Sequence, residues 1–544
     1  MYSFESEVVI IKTKEKIALT FLCILNVLLS ACLIVVTFLT KDLINVALTH
    51  DQSKWNILLR YAGCLIGVVV IQITFKIIYN FIFNKASINY ELELKEKIYQ
   101  SYLLKDISQI RFIHSGEMSN IYINDVKNVT DGYFSVIPAA ILNISKFLFA
   151  FIALVIIDWR FLLVALVIGL LAFCYSRFYG RKVKKLQKNA LAKDGKLISY
   201  MQESTENIKL IKAMNAEESA TELLNKRSKE NFEAKYRYHN FAIIGSAGLL
   251  SVLNFTYIVA LIYGAIMLFK YPNAFSYGTL VSLLQLVNYF ETPFTSLSRV
   301  LNKYYAFKVS DKRIKEIFAL KEETQNLLSI NFKQIIFDNV SFDYDKQVIK
   351  NLSFVVNKND LVAIKGRSGI GKSTIINLLL GLIKPKEGSI YIIDNDNNKI
   401  SVGANTRNLF SYVPQEVIMF SGSIRENISL FVKNKTEEEI NEALKLSCIY
   451  DEIMAMPKKL DNILTERGQG LSLGQIQRIL IAIAILKDND VLLLDEFTSA
   501  LDKEVETKIV NNLLKLHKTI IMISHRNLEI QGCKEIQLEE IEND

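Results

Sequence analysis

Proline is scarce in this chain, 6 residues in 544, and glycine is modest at 22. That pairing excludes a collagen-like or linker-dominated architecture. Cysteine is scarce too. Its six copies (Cys23, Cys32, Cys64, Cys174, Cys448 and Cys533) include no CxxC pair, so neither a zinc site nor a disulfide framework is indicated. With 51% hydrophobic residues, disorder is excluded. Charged residues make up 22% of the chain, and they are missing from long stretches of the first 300 residues. The composition describes a membrane-embedded first half and a soluble second half.

The formal net charge is +8 and the pI about 8.8. Nucleic-acid binding is disfavoured, because the Lys and Arg lie in loops that flank apolar runs and few aromatics are interleaved as a stacking platform. Positive-inside topology accounts for such loops directly.

Six runs are long enough to cross a bilayer, which takes about 20 apolar residues as helix. They are Ile17–Thr40, Leu58–Phe83, Tyr133–Ile157, Phe161–Gly180, Phe241–Phe269 and Phe275–Leu297. The first contains Leu29-Ser30-Ala31-Cys32, which resembles a lipoprotein cleavage box. The apolar stretch nevertheless continues through Leu33-Ile34-Val35-Val36. It is also longer than a signal-peptide core of about 7–15 residues, so it reads as an uncleaved span. Lys12, Lys14 and Lys16 precede it, and the long loops at 84–132 and 181–240 are rich in Lys and Arg. The remaining connections are short and poor in positive charge. This asymmetry predicts both termini and both long loops on the cytoplasmic side. The long loops have helical Glu/Lys spacing and few breakers, so they are expected to prolong the spans.

Polar residues inside the spans are Asn26, Asn143, Lys146, Arg177, Asn254, Gln285, Asn288 and Glu291. Arg177 and Glu291 lie near span ends and read as snorkelling groups; Asn and Gln read as interhelical glue. Lys146, near a span centre, is a candidate for a substrate path, and Gln285 and Asn288 join it.

From about Phe332 short β-like runs alternate with helical ones, the pattern of a parallel α/β domain. Leu361-Val362-Ala363-Ile364 leads into Gly366-Arg367-Ser368-Gly369-Ile370-Gly371-Lys372-Ser373 and then Thr374. This is GxxxxGKS between a strand and a helix, a P-loop in its confirming context. Its backbone N–H groups can close on phosphate, Lys372 can reach the β- and γ-phosphates, and Ser373 can ligate Mg²⁺. Val491-Leu492-Leu493-Leu494 is a buried strand ending in Asp495-Glu496. Asp495 can hold Mg²⁺, and Glu496 can act as general base toward the attacking water.

Leu471-Ser472-Leu473-Gly474-Gln475-Ile476-Gln477-Arg478 lies between them, and here the chain resembles the ATP-binding cassette (ABC) family. Gln415 is similar to that family's Q-loop residue and a ligand to the metal; Ser499-Ala500-Leu501-Asp502 resembles the D-loop, His525 the switch histidine, and Tyr344 the aromatic that stacks on adenine. Thr465-Glu466-Arg467-Gly468 resembles a loop seen in exporters. In the membrane half, Ser115-Gly116-Glu117 with Asn124-Asp125-Val126 resembles the first coupling-helix region, and Gln202-Glu203-Ser204 with Asn207-Ile208-Lys209 the second. Ser310-Asp311-Lys312-Arg313-Ile314 resembles the link into the cassette.

The resemblance implies a six-span type IV exporter half, residues 1–315, fused to a cytoplasmic P-loop cassette, residues 330–544. It implies ATP and Mg²⁺ as ligands and a dimer, homomeric or with a second half-transporter. Each ATP would lie between one P-loop and the opposite chain's Ser472, Gly474 and Gln475. Closure on ATP would open the cavity outward, and hydrolysis by Glu496, with His525 on the γ-phosphate, would reset it.

Three departures from the family pattern stand out. Leu473 replaces the first signature glycine and is expected to weaken the site. Ile485 stands where arginine is usual. The chain stops soon after His525, so abbreviated final strands are expected. No peptidase-like segment precedes the first span, which argues against a fused leader-cleaving exporter. A hydrophobic or amphipathic cargo is expected, a small bacteriocin-like peptide or a drug, with lipid flipping as the alternative. The Lys, Ile and Asn richness suggests a low-GC bacterium and its cell membrane. A regulatory subunit that binds ATP without transport is the competing class; Glu496 and His525 argue against it.

Overall fold

The computed structural model describes residues 12–523 and 532–538, apart from positions 112, 114, 273, 324, 325, 345, 368, 417, 466, 467 and 469. They form two units, one of residues up to 103 and 113–319, the other of 104–112 and 320 onward.

The first unit is helical. Ile17–Thr40 lies in helix Thr13–Ala47, Leu58–Phe83 in Trp55–Leu103, and Phe241–Phe269 in Glu217–Lys270. The sixth run is carried by helix Tyr277–Ala319. The third and fourth share the helical stretch Ile137–Glu206, which breaks at Asp158 (φ −159°, ψ 103°). Asp158 makes this turn: Oδ1 accepts from the Arg160 N–H at 2.9 Å, and Oδ2 accepts from the Tyr263 hydroxyl. A carboxylate at that point satisfies a backbone donor left open where a helix restarts. Most of both long loops is helical, and the described breaks include 104–106, on the near side of the short helix Ile107–Ile110, and positions near Asn207 and Met214–Ala216.

Many apolar side chains on these helices face outward, among them Phe81, Phe178 and Phe269 at 74, 83 and 90% exposure. In an aqueous protein such a surface would be an association hazard; on spanning helices it faces lipid or another subunit. Inside, Ala150, Leu154, Phe161, Leu283, Leu286 and Phe290 form one cluster, and Tyr90, Leu94, Ile98, Val129, Phe134 and Ile314 form another. Polar contacts stitch the helices as well. Asn26 Nδ2 donates to the Pro138 carbonyl at 3.0 Å, and Ser30 and Ser145 share a 2.8 Å hydrogen bond. Glu291 departs from the snorkelling expectation. It is 9% exposed and sits beside Thr256, because the helix continues past it instead of ending at a lipid interface.

Buried Asp125 accepts from the Ser310 hydroxyl and lies 3.6 Å from Arg313 Nη1. Two stretches that look unrelated in sequence thereby lock together.

The second unit contains strands β1 Phe332–Asp343, β2 Gln347–Asn357, β3 Leu361–Lys365, β4 Glu387–Asp394, β5 Lys399–Ser401 and β6 Phe410–Val413. They are followed by β7 Gly422–Ser423, β8 Ile463–Leu464, β9 Val491–Asp495, β10 Thr519–Ile523 and β11 Cys533–Gln537. The parallel sheet runs β11-β3-β10-β9-β6. Its strands are apolar on both faces, and the pleat sends alternate residues to different cores. Leu361, Ala363, Leu492, Leu494, Ile520 and Met522 pack with helix Leu473–Lys487. Val362, Ile364, Val491, Leu493, Ile521 and Ile523 pack with helix Lys372–Leu379. An antiparallel sheet, β2-β1-β4-β5, joins that second core. The sequence pattern points to the parallel sheet; the antiparallel one is added because the short β1–β2 connection cannot carry a crossover.

Candidate nucleotide site

The P-loop begins at the carboxyl end of β3, where ligands collect in open α/β sheets. Gly371 has φ +106°, and a Cβ there would meet the side chain of Val348 and stand 3.2 Å from its carbonyl oxygen, so glycine is required both by conformation and by space. Gly366 and Gly369 also have positive φ. Lys372 is 5% exposed, and its Nζ donates to the carbonyls of Gly366 and Arg367, both at 2.9 Å. Ile370 packs on the core, and Thr374 is buried within the first helical turn. Ser368 lies outside the described residues.

The two carboxylates arrive from β9. Ser373 Oγ donates to Asp495 Oδ1 at 3.2 Å. Glu496 follows with φ +46°, its amide donating to Ile523 O at 3.1 Å. Gln415, just past β6, donates from Nε2 to Glu496 Oε2 at 2.8 Å. Burial holds the Asp495 carboxyl above its usual range, opposed by Ser373 and reinforced by Glu496. Burial lowers the Lys372 ammonium, against the pull of Glu496 and Asp495. Tyr344 is 47% exposed and packs edge-on against Phe342 at 4.8 Å between ring centres.

A hydroxyl and a carboxylate are hard oxygen donors suited to Mg²⁺, which takes few protein ligands and completes its shell with phosphate and water. Among the described residues no cluster of three His, Cys, Asp or Glu could hold a metal. The Ser373–Asp495 pair therefore fits a nucleotide-borne cation better than a protein cage.

The signature segment forms the start of helix Leu473–Lys487. Ser472 caps it, its Oγ accepting from Gln475 N at 3.2 Å while Gln475 Oε1 accepts from Ser472 N at 2.8 Å. This reciprocal pairing satisfies two open donors. Gln475 Nε2 also donates to Glu452 at 2.8 Å. A Cβ on Gly474 would lie 2.8 Å from Ala500 O, so this glycine admits the D-loop backbone. Leu473 is 64% exposed, and Ile485 packs against the helix-side core. His525, Glu466 and Arg467 lie outside the described residues.

Several connections were not legible in the motifs. Gln477, fully buried, donates to Glu496 O and accepts from Ala500 N, both at 3.3 Å. Arg407 grips Glu323 with 2.6 and 2.9 Å bonds and donates from Nε to Leu380 O at 2.7 Å, where the P-loop helix ends. The segment of the membrane half that folds with the cassette is 104–112, ahead of the Ser115–Val126 stretch singled out by resemblance. Asp106 N donates to Lys321 O and Glu323 N to Leu104 O, both at 2.9 Å. Arg111 stands 5.8 Å over the Tyr344 ring. Backbone pairing has no side-chain signature, so motif reading missed it.

Of the candidate path residues, Lys146 and Gln285 are half-buried and Asn288 is exposed. Gln285 Oε1 is buried without a hydrogen-bond partner, and Asn288 Nδ2 donates to Leu284 O at 3.2 Å.

Residues 19–294 match the ABC transporter transmembrane region family, and residues 349–499 the ABC transporter family. ATP-binding cassette sub-family B member 5 of Mus musculus is 28% identical over 452 residues, 81% of this chain. The Lactococcin-G-processing and transport ATP-binding protein LagD of Lactococcus lactis subsp. lactis is 36% identical over 271 residues, 48% of this chain. The chain spans only 36% and 38% of the lengths of these two relatives. A solved bacterial Atm1-family ABC exporter with ATP bound superimposes with a TM-score of 0.80 at 22% identity, covering 95% of this chain and 92% of that one, which shows the shared fold. With a family match over half its length and a second across the nucleotide site, the chain belongs to the ABC transporter family.

Proposed function

We propose that this chain is one half of a dimeric, ATP-driven exporter of a hydrophobic or amphipathic cargo, a small peptide or a drug. The observation that carries the reading is the Gln415–Glu496 hydrogen bond of 2.8 Å beside the Ser373–Asp495 pair at 3.2 Å. A nucleotide-binding module without turnover has no need of a carboxylate held at that point. Tyr344 stacks on adenine, and the N–H groups of 366–374 surround the phosphates. Lys372 exchanges its two loop carbonyls for phosphate oxygens. Mg²⁺, held by Ser373, Asp495 and Gln415 Oε1, would neutralise phosphate charge. Glu496 takes the proton of the water attacking the γ-phosphate, releasing ADP and phosphate. The partner subunit's Ser472 and Gly474 complete each site, and His525 contacts the γ-phosphate.

In this reading the membrane domain runs to about residue 315 and the cassette from 330, with cassette and termini on the cytoplasmic face of a bacterial cell membrane. LagD's name couples processing to transport, which favours a peptide for this chain too. Lys146, Gln285 and Asn288 are the proposed cargo contacts. The test is ATPase activity of the purified chain in lipid, with and without candidate peptides and hydrophobic drugs, and with Glu496→Gln as control. Turnover that falls in the variant and responds to one cargo class supports the homodimeric exporter. Well-folded, ATP-binding protein without turnover refutes the homodimer, in favour of a missing partner subunit or a regulatory role. Stimulation by lipid alone moves the assignment to a lipid flippase.

A further inference from the structure

Between residues 159 and 193 the sequence has no Asp or Glu, yet it carries Arg160, Arg177, Arg181, Lys182, Lys184, Lys185, Lys188 and Lys193. The packed helix opposite, Glu217–Lys270, is acid-free from 234 to its end. At about 100° per residue, Arg177, Arg181, Lys184, Lys185 and Lys188 share one side of helix 160–206. All five are exposed, whereas Ala190 on the other side is 3% exposed. The same side, followed back along the span, presents Val167, Leu170, Leu171 and Phe178 at 60, 65, 61 and 83% exposure. One helix face thus passes directly from bare apolar side chains to bare cations.

The junction between the two is built. Tyr175 stacks on Tyr179, and Tyr179 on Phe241 at 4.3 Å between ring centres. Gly245 and Gly248 admit these rings, since a Cβ on either would overlap Tyr179 or Tyr175. Lys182 Nζ lies 4.8 Å over Phe241, and Lys184 Nζ 5.0 Å over Tyr305. Aromatic rings between an apolar stretch and a cationic one mark a membrane–water boundary. Farther along the same helices the cations have protein partners: Lys193 meets Glu230, and Lys235 meets Asp194, each at 2.6 Å. None of the described ion pairs includes a member of the five-residue stripe.

We infer that this face binds an acidic phospholipid, with its acyl chains along Val167, Leu170, Leu171 and Phe178 and its phosphate among Arg181, Lys184, Lys185 and Lys188. The inference rests on the membrane-embedded reading above. A soluble anion would use the cations but leave the adjoining apolar strip bare; a lipid matches both in one molecule. Arg177 lies within the last turn of the apolar run, Arg181 follows one residue past its end, and Lys188 is about 12 Å beyond it at 1.5 Å per residue, within the depth where acidic headgroups attract Lys and Arg.

The experiment uses the full chain extracted into mild detergent and returned to phosphatidylcholine nanodiscs with or without phosphatidylglycerol. Retained lipid is counted by native mass spectrometry. The R181Q/K184Q/K185Q/K188Q variant is compared with K193Q/K235Q, which removes cations outside the stripe. The wild type and the control should retain phosphatidylglycerol over phosphatidylcholine, and the stripe variant should lose at least about tenfold of that preference. Equal retention in the stripe variant overturns the inference, as does displacement of the lipid by millimolar glycerol phosphate. Retention is read without turnover, so a chain that selects phosphatidylglycerol but hydrolyses no ATP would sink the homodimeric exporter and leave this inference standing. Should the stripe variant misfold, raising the salt on the wild type supplies the same answer, because headgroup attraction is screened.

Discussion

Gln415 and Glu496, 81 positions apart, are joined by a 2.8 Å hydrogen bond from the amide Nε2 to the carboxylate Oε2. The bond holds the proposed general base by its side chain, while Gln477 holds the same residue by its carbonyl. Glu496→Gln should keep this geometry and ATP binding but slow phosphate release by about 100-fold or more, the size of a general-base contribution. Unchanged turnover would remove Glu496 from the chemistry.

Gly474 and Leu473 should respond in opposite ways. Gly474→Ala places a methyl 2.8 Å from Ala500 O, and the D-loop backbone must shift at a cost of about 1–3 kcal/mol. A lower Tm and reduced turnover are expected. Leu473 is exposed, so Leu473→Gly should change stability by no more than about 1 kcal/mol and, in the proposed dimer, raise turnover by baring the backbone toward the ATP of the other half. Thermal unfolding and phosphate release on both variants test the pair; a silent Gly474→Ala would contradict the close approach.

Arg407 joins Glu323 to the end of the P-loop helix through a two-bond fork. Both side chains are largely shielded, at 30 and 18% exposure. Arg407→Lys keeps the charge but loses the paired geometry and the Leu380 contact. Loss of a charged hydrogen bond costs about 1.5–3 kcal/mol, which should appear as a lower unfolding temperature. Arg407→Lys and Glu323→Gln should be non-additive, since each breaks the same fork; strict additivity would show that they do not act together.

Asp495 gives a pH-dependent prediction. Its carboxyl is raised from 3.8 chiefly by burial, so the folded chain holds this proton more tightly than the unfolded chain. The favourable contribution is present below the unfolded value and is lost as pH rises through the folded one. At neutral pH the buried carboxylate therefore opposes folding. Asp495→Asn should abolish Mg²⁺-dependent turnover yet raise Tm near pH 7, with the gain shrinking in acid. A Tm that falls at pH 7 would mean that Lys372 and Ser373 outweigh burial.

The P-loop glycines, Lys372, the carboxylates at the end of β9 and the signature segment were legible in sequence because each is a pattern of neighbours within a few residues. The apolar runs of the membrane half were legible for the same reason, since hydropathy is summed along the chain. The antiparallel sheet was not, because a β-run looks alike whichever way its partner runs. Glu291 was misjudged because the helix's continuation beyond it, and Thr256 on another helix, decide its burial.

The amino-acid order by itself determined that apolar helices precede a P-loop domain, and which residues form that loop. Only the tertiary structure decided that Gln477 bridges Glu496 to Ala500, that Asp125 receives Ser310 and Arg313, and that 104–112 pairs with the cassette. Those contacts join residues far apart in sequence through backbone groups or common polar side chains. Their specificity lies in distance and direction, and neither exists until the chain has folded.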